Sequence, residues 1–187
     1  MVASLRLNFM KEILNEIRDL YINQFLDALK DHKDSIIEPA MRLENGCLAL
    51  DGKLNLPLRL DLVHENASIS VDSNKKLSFS EIDFIWGGSL KVGLNPFCWD
   101  SMVCTFDKTN DSDWTLLYEW FMKWFDEDDQ SPALKNNLYG VVHFLSDPEP
   151  CALGFQINID FGSSTIEAFE ELLNALEKGG ATKVIIN

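Results

Sequence analysis

The spacing of apolar side chains changes once in the first third of the chain, and this change restricts the fold more than any other feature. Between Ser4 and Asp31 apolar residues recur every three or four positions, which predicts a long amphipathic α-helix. From Leu48 to Leu62 leucine occupies almost every second position, which predicts β-strands. The switch predicts an α+β fold whose N-terminal helix covers one face of an antiparallel sheet.

The leucine-rich region predicts an antiparallel β-meander. Asp51-Gly52 falls between its two alternating runs, where a two-residue type I′ hairpin turn is expected because both turn residues take positive φ angles. Pro57 has no backbone N–H to donate, so its strand is expected at an edge or a bulge. Four further strands are predicted at Ala67–Val71, Leu77–Trp86, Ser89–Leu94 and Met102–Phe106.

The remaining chain predicts an aromatic-rich helix followed by a C-terminal β-β-α-β unit. The helix is expected at Asp113–Phe125, where apolar side chains cover one broad face. Three strands are predicted at Leu138–Leu145, Ala152–Phe161 and Thr182–Ile186. Ser164-Thr165-Ile166-Glu167 reads as a capping box that begins the last helix, and Gly179-Gly180 ends that helix. At 187 residues, without a repeat or a long linker, residues 1–187 are expected to form one domain.

Negative charge is concentrated in one stretch of the chain. The whole sequence has a formal net charge of -14, and residues 100–130 carry half of it, with nine acidic residues against two lysines. Trp114, Trp120 and Trp124 lie in the same stretch, and tryptophan is enriched in binding hot spots. We therefore predict that the acidic residues bind a basic partner: Asp100, Asp107, Asp111, Asp113, Glu119, Asp126, Glu127, Asp128 and Asp129. The simpler alternative is an acidic surface that serves solubility alone.

Composition also excludes several classes of partner. A chain this acidic is repelled by phosphates, so neither direct nucleic-acid binding nor binding to anionic membranes is expected. The sequence has no apolar run long enough to span a bilayer and no secretion signal at its start. Its four cysteines form no C-x-x-C pair and are expected to be reduced, buried thiols. These features predict a cytoplasmic protein.

No motif in the sequence specifies a reaction, a cofactor or a metal. His143 lies among apolar residues and is expected to be a satisfied core or sheet residue, while His64-Glu65 lacks the spacing of a zinc-binding helix. Asp160-Phe161-Gly162 matches a kinase magnesium motif, but the other kinase motifs are missing. Asp126–Asp129 lacks the spaced ligands of a calcium loop. We therefore expect no enzyme activity, although a cysteine–histidine pair assembled across the fold stays open as an alternative.

In profile the chain resembles the immunity proteins of bacterial toxin systems, including those of contact-dependent growth inhibition. The similarity covers the whole chain and lies in three features: the acidic meander, the aromatic helix at Trp114–Phe125, and the tail formed by Phe155–Gly162 and Ser164–Lys178. The resemblance implies a stoichiometric inhibitor that binds a cognate toxin domain, often a basic nuclease, and blocks its active site or substrate path. It supplies no individual site residue.

Two other functions are compatible with the sequence. A phage-type mimic of nucleic acid would use the same negative charge more diffusely to inhibit DNA-binding proteins. An enzyme or small-ligand-binding domain would instead assemble its pocket from dispersed residues. The sequence specifies neither the partner's identity nor the oligomeric state.

Overall fold

We describe the fold from a computed structural model, which defines residues 2–107 and 113–187, with side chains from residue 8 onward. The described part contains three helices and twelve strands, which confirms the predicted α+β class. The helices are α1 (Val2–Asp31), α2 (Thr115–Phe125) and α3 (Ile166–Lys178). The strands are β1 (Ile36–Ile37), β2 (Leu50–Asp51), β3 (Leu56–Pro57), β4 (Leu62–His64), β5 (Ala67–Ile69), β6 (Ile82–Trp86), β7 (Leu90–Leu94), β8 (Met102–Phe106), β9 (Phe144–Leu145), β10 (Glu149–Pro150), β11 (Phe155–Asp160) and β12 (Lys183–Ile186).

The largest sheet has seven strands. Six of them follow the order β10-β11-β8-β12-β7-β6, and β9 pairs with the end of β11. Strands β12 and β7 are parallel, whereas the other neighbours in this sheet are antiparallel. Because β11 and β12 both run antiparallel to the β8 strand between them, they are parallel to each other. Helix α3 connects them, which confirms the predicted C-terminal strand–helix–strand unit.

One face of this sheet is buried and the other is partly exposed. Along β8, Met102, Cys104 and Phe106 are buried, whereas the intervening Val103 and Thr105 are half-buried. The buried faces of α1, α2 and α3 join the inward side chains of the sheet in one hydrophobic core. The sheet therefore has a helical layer on one side, as expected for an antiparallel sheet with one solvated face.

Two local predictions are wrong, the two-residue turn of the first hairpin and the capping box of the last helix. The innermost pair of the first hairpin is Asp51 with Leu56, so its loop, residues 52–55, has four residues instead of two. The Asp147 carboxylate holds this loop by accepting from the N–H groups of Lys53 and Leu54 at 2.6 and 2.9 Å. At α3 the N-cap is Thr165, so the predicted capping box does not form.

The predicted strand at Leu138–Leu145 is reduced to Phe144–Leu145. Its earlier residues do not pair in a ladder. Gly140 N–H donates to Ser163 Oγ at 2.8 Å, and Val142 N–H donates to the carbonyl of Trp124 at 2.9 Å. These bonds route residues 138–143 between the end of α2 and the end of β11.

Candidate functional site

A buried cluster of charged residues lies at the end of the sheet where β8 begins and β11 ends. Its centre is His143, which precedes β9, and its ring is 1% exposed. Glu38 follows β1, Asp61 precedes β4, and Asp160 is the last residue of β11. The four residues come from separate segments of the chain, so only the folded protein brings them together.

Both ring nitrogens of His143 are bonded to carboxylates. Nδ1 lies 2.9 Å from Asp61 Oδ1, and Nε2 lies 2.8 Å from Glu38 Oε1. Asp160 Oδ2 is further away, 3.8 Å from Nδ1. A carboxylate only accepts hydrogen bonds, so a histidine between two of them is bonded at both nitrogens only when it is an imidazolium.

The ionisation of the cluster follows from this geometry. Burial opposes a charge on His143, but the hydrogen bonds to Asp61 and Glu38, together with the negative charge of Asp160, raise its pKa to about 10. Burial also opposes ionisation of Glu38 and Asp61, yet the hydrogen bond from His143 lowers the pKa of both. At neutral pH this part of the cluster is therefore one cation between two anions.

Glu38 is fully buried and connects several loops. Its Oε2 accepts from the N–H of Tyr139 at 2.7 Å, and its Oε1 accepts from the N–H of Ser163 at 3.2 Å. Its own carbonyl accepts from Arg59 Nη1 at 2.6 Å. The backbone of Glu38 has a φ of 49°, in the left-handed region that non-glycine residues rarely adopt. The surrounding bonds hold this conformation.

Arg59 joins the cluster to the end of α2. Its side chain is 2% exposed, and its Nε and Nη2 donate to the carbonyls of Phe125 and Asp126 at 2.7 and 2.5 Å. Nη2 also contacts Asp129 Oδ1 at 2.7 Å. Arginine thereby satisfies the last carbonyls of α2, which would otherwise lack partners.

A cavity of about 150 Å³ opens beside the cluster. Four carboxylates and one guanidinium are among its lining groups: Asp61, Asp72, Asp100, Asp160 and Arg59. The side chain of Asp160 is 24% exposed. Burial raises the pKa of Asp160 to about 7; the positive charge of His143 opposes this increase, and the negative charge of Asp61 adds to it. The cavity therefore has more negative than positive charge.

The cluster has the spacing of a metal site but not its free ligands. Among the described residues, Asp61, His143 and Asp160 form a group whose potential ligand atoms lie within 4.8 Å of one another. A histidine binds a metal only as a neutral imidazole with a free lone pair on one ring nitrogen. Both nitrogens of His143 are already bonded to carboxylates, so the ring holds protons in the position where an ion would bind.

No family model, no curated protein and no solved structure matches this chain. The helices of the described residues include none that is long and apolar enough to cross a membrane.

The structure divides the predicted partner-binding residues between the two ends of the sheet. Asp100 precedes β8 and Asp107 follows it, and seven residues of extended chain span roughly 20 Å. Asp113 lies on the Asp107 side, where the neighbouring Trp114 packs on Phe106. Asp126–Asp129 follow α2, where Arg59, a residue that lines the cavity, donates to the carbonyl of Asp126 and the carboxylate of Asp129. Glu119 lies between the two ends on α2, and Asp111 is outside the described residues.

Many of these carboxylates have structural partners. Asp100 accepts from the N–H and hydroxyl of Ser73, and Asp107 accepts from the N–H groups of Thr182 and Lys183. Asp113 accepts from the N–H of Thr115. Asp126 accepts from the N–H groups of Gln130 and Ser131, and Asp129 accepts from Arg59. Within the described parts of the chain, Glu119, Glu127 and Asp128 are exposed and their carboxylates form no hydrogen bond or ion pair.

The tryptophans of α2 belong to the core more than to the surface. Trp120 is 4% exposed and donates through Nε1 to the carbonyl of Ala168 at 2.9 Å. Trp124 is half-buried and donates to Glu171 at 2.9 Å. The exposed aromatic residue of this helix is Tyr118, which the sequence did not single out.

Proposed function

We propose that this protein binds a basic protein partner and neutralises it, as the immunity proteins that it resembles neutralise toxins. The partner is a cognate toxin domain, with a basic nuclease as the leading type. Its lysines or arginines, which would otherwise meet the substrate, contact carboxylates of this chain instead. The chain acts by occupying that surface, not by turnover.

One observation carries the proposal, namely the accumulation of carboxylates at one end of the sheet. Asp61, Asp72, Asp100 and Asp160 line the cavity together with a single arginine. Glu127 and Asp128 at the same end are exposed at the end of α2. Arg59 forms an ion pair with Asp129 at 2.7 Å, so that carboxylate, which does not line the cavity, balances its charge. A cationic side chain of a partner is the complementary group for such a region.

Neutralisation should be tested with the product of the adjacent open reading frame as the first candidate partner. The test variant is Asp72→Asn, Glu127→Gln, Asp128→Asn, because these three carboxylates are exposed and form no hydrogen bond or ion pair with another described residue. Co-expression with the wild-type protein should restore the growth that the partner arrests, and the variant should restore it poorly.

A charge-matched control distinguishes loss of this site from a general reduction of the protein's net charge. Glu12→Gln, Glu16→Gln, Glu149→Gln removes the same formal charge from α1 and β10, and none of these residues lines the cavity. This control should protect as well as the wild-type protein. Equal loss of protection in both variants would contradict a site at this end of the sheet, and no protection by the wild-type protein would contradict neutralisation.

One observation favours a second candidate function, proton transfer on a small ligand. Asp160 borders the cavity and its pKa of about 7 suits a general acid or base at neutral pH. Asp160→Asn would then abolish a turnover that the wild-type protein shows, with folding intact. Failure of the wild-type protein to turn over hydrolase, transferase or nuclease substrates would remove this candidate.

A further inference from the structure

Two histidines lie together where the end of α1 meets the three-stranded sheet β1-β4-β5. His32 directly follows α1, and His64 is the last residue of β4. Their ring centroids are 5.4 Å apart, with the ring planes inclined at 56°, and both residues are half-buried. Because the two rings come from separate segments of the chain, no sequence motif connects them.

Ser35 fixes the tautomer of His64. The Ser35 hydroxyl has one proton, which it donates to the carbonyl of His32 at 2.7 Å. Towards His64 Nδ1, at 3.3 Å, the same hydroxyl can therefore only accept. Nδ1 holds the ring proton of the neutral imidazole, and Nε2 has the lone pair. Metal-binding histidines usually donate their second ring N–H to an oxygen in this way.

The nitrogens that could bind an ion are unbonded and reachable. Nε2 of His64 and both ring nitrogens of His32 have no hydrogen-bond partner among the described residues. The buried polar side-chain atoms that lack a partner are on other residues, so these nitrogens are open to solvent. The pair differs in this respect from His143, both of whose nitrogens are bonded to carboxylates.

The spacing of the two rings fits one tetrahedral metal ion. Zinc lies about 2.0–2.1 Å from a histidine nitrogen, which places each ring centroid about 3.2 Å from the ion. Two such ligands at the tetrahedral angle have centroids about 5.2 Å apart, against about 4.5 Å at the right angle of octahedral or square-planar ions. The observed 5.4 Å agrees with the tetrahedral arrangement that zinc prefers.

The charge around the pair also favours a cation. His32 lies at the C-terminus of α1, the negative end of the helix dipole. Asp31, Asp34 and Glu65 are exposed and lie within two positions of one histidine or the other, whereas Lys33 is the exposed basic residue in the same segments.

We propose that His32 and His64 bind one Zn²⁺ ion, through Nε2 of His64 and a ring nitrogen of His32. The one group of three potential ligands that the described residues form is Asp61, His143 and Asp160, so water fills the other positions of this ion. Structural zinc sites have four protein ligands. A two-histidine site is therefore exchangeable, and it joins the end of α1 to β4. The inference is independent of the proposed function.

NMR of the histidine rings in the full chain tests the site, with ZnCl₂ as the probe. The chain has three histidines, so each ring signal can be assigned with a single substitution. Zn²⁺ should shift the signals of His32 and His64 and leave those of His143 unchanged, and a chelator should reverse the shifts. Mg²⁺ has the same charge but prefers oxygen ligands, so it should shift neither histidine.

Calorimetric titration of variants measures the contribution of each group. His32→Gln and His64→Gln should each lower the affinity for Zn²⁺ roughly tenfold or more. Ser35→Ala should lower it by about 10–100-fold, because the ring of His64 loses its orienting oxygen, whereas Ser35→Thr keeps a hydroxyl and should retain binding. Cys47→Ser is the matched control, since it removes an exposed thiol elsewhere on the surface and should leave the affinity unchanged.

Three results would overturn the inference. These are ring signals of His32 and His64 that do not respond to Zn²⁺, an equal response to Mg²⁺, and an affinity for Zn²⁺ that is unchanged in both histidine variants. A shift of His143 alone would place the ion at the buried cluster and would also contradict the proposal. None of these measurements involves the toxin partner, so they do not depend on the outcome of the neutralisation test.

Discussion

His143 is a positively charged side chain enclosed by the protein, and its two carboxylate partners make that charge tolerable. Removing one member of a buried ion pair leaves an uncompensated charge, which costs more than the pair itself contributes. The cluster therefore has a large effect on stability when it is broken, even if its net contribution is small. It also joins α1, because Tyr21 donates to Asp61 at 3.1 Å.

Replacing His143 with glutamine should lower the free energy of unfolding by about 3–5 kcal/mol, because Glu38 and Asp61 lose their cation. His64→Gln is the matched control, since His64 is half-buried and its contacts among the described residues are with the Ser35 hydroxyl, at 3.3 Å, and with the ring of His32. The control should change stability by less than about 1 kcal/mol. Urea denaturation of both variants measures the difference, and equal stabilities would contradict the ion-pair account.

Stability should decline from weakly acidic to alkaline pH in two stages. Folding raises the pKa of Asp160 from 3.8 to about 7 and that of His143 from 6.5 to about 10. A group with a raised pKa in the folded state loses its stabilising contribution as pH rises from the unfolded to the folded pKa. Asp160→Asn should remove the decline between about pH 4 and 7, and His143→Gln the decline between about pH 6.5 and 10.

At acidic pH the dependence has the opposite sign, and stability should fall as pH decreases. The lowered pKa values of Glu38 and Asp61 mean that their contribution is present above about pH 4.5 and is lost as pH falls through the folded values. Denaturation midpoints measured at pH steps of one unit should therefore peak near weakly acidic pH. A flat profile from pH 5 to 10 would contradict a protonated His143.

Gly162 contacts the same ring and tolerates no side chain. Its φ is +50°, and an added Cβ would lie 2.2 Å from His143 Cδ2. Gly46 is the matched control, because it has a φ of +83° but nothing within 4 Å of its Cβ position. Gly46→Ala should cost about 1–2 kcal/mol from the backbone alone. Gly162→Ala should cost a further 1–3 kcal/mol or so by displacing the ring, measured by thermal denaturation. Equal costs would show that the ring moves freely.

At the scale of elements, the end of α2 combines structural and unbound acidic residues. Asp126 adopts a left-handed conformation and accepts from the N–H groups of Gln130 and Ser131 at 3.1 and 2.8 Å, while Asp129 contacts Arg59. Asp126→Asn, Asp129→Asn should therefore cost about 1–2 kcal/mol. Glu127→Gln, Asp128→Asn should not destabilise the protein, because it removes repelling charges near a helix C-terminus. Melting temperatures compare the two variants, and equal losses would contradict the division.

The elements themselves could largely be predicted from the sequence, because period and turn chemistry are local. Met102–Phe106 is a strand at the predicted residues, and the three predicted helices are all present. The errors fall where a distant group decides the backbone. Asp147 widens the hairpin loop, and the chain before β9 bonds Ser163 and Trp124 instead of a neighbouring strand.

The buried cluster could be predicted only in part, for the same reason. The sequence places His143 among apolar residues, which favours a satisfied side chain. Its partners Asp61 and Glu38 lie 82 and 105 positions earlier, and no spacing rule connects them. The available signal was the pair Arg59 and Asp61, two charges inside an alternating leucine run. Charges at such positions are buried only with partners.

On the scale of the whole molecule, the acidic residues of positions 100–130 are divided mainly between two ends of one sheet. At the Asp107 end, Asp107 is bound to the start of β12. At the other end, Asp72 in the cavity lining and Glu127 and Asp128 after α2 are exposed and form no hydrogen bond or ion pair with another described residue through their carboxylates. We therefore propose that recognition takes place at the cavity end.

The salt dependence of association with the toxin partner tests this central claim most directly. Association rates should be measured by stopped-flow fluorescence from about 0.01 to 1 M salt, which shortens the Debye length from about 30 to 3 Å. The account predicts a steep fall for the wild-type protein and for Glu12→Gln, Glu16→Gln, Glu149→Gln. It predicts a slower, flatter profile for Asp72→Asn, Glu127→Gln, Asp128→Asn. A wild-type rate that does not change with salt would contradict recognition through these carboxylates.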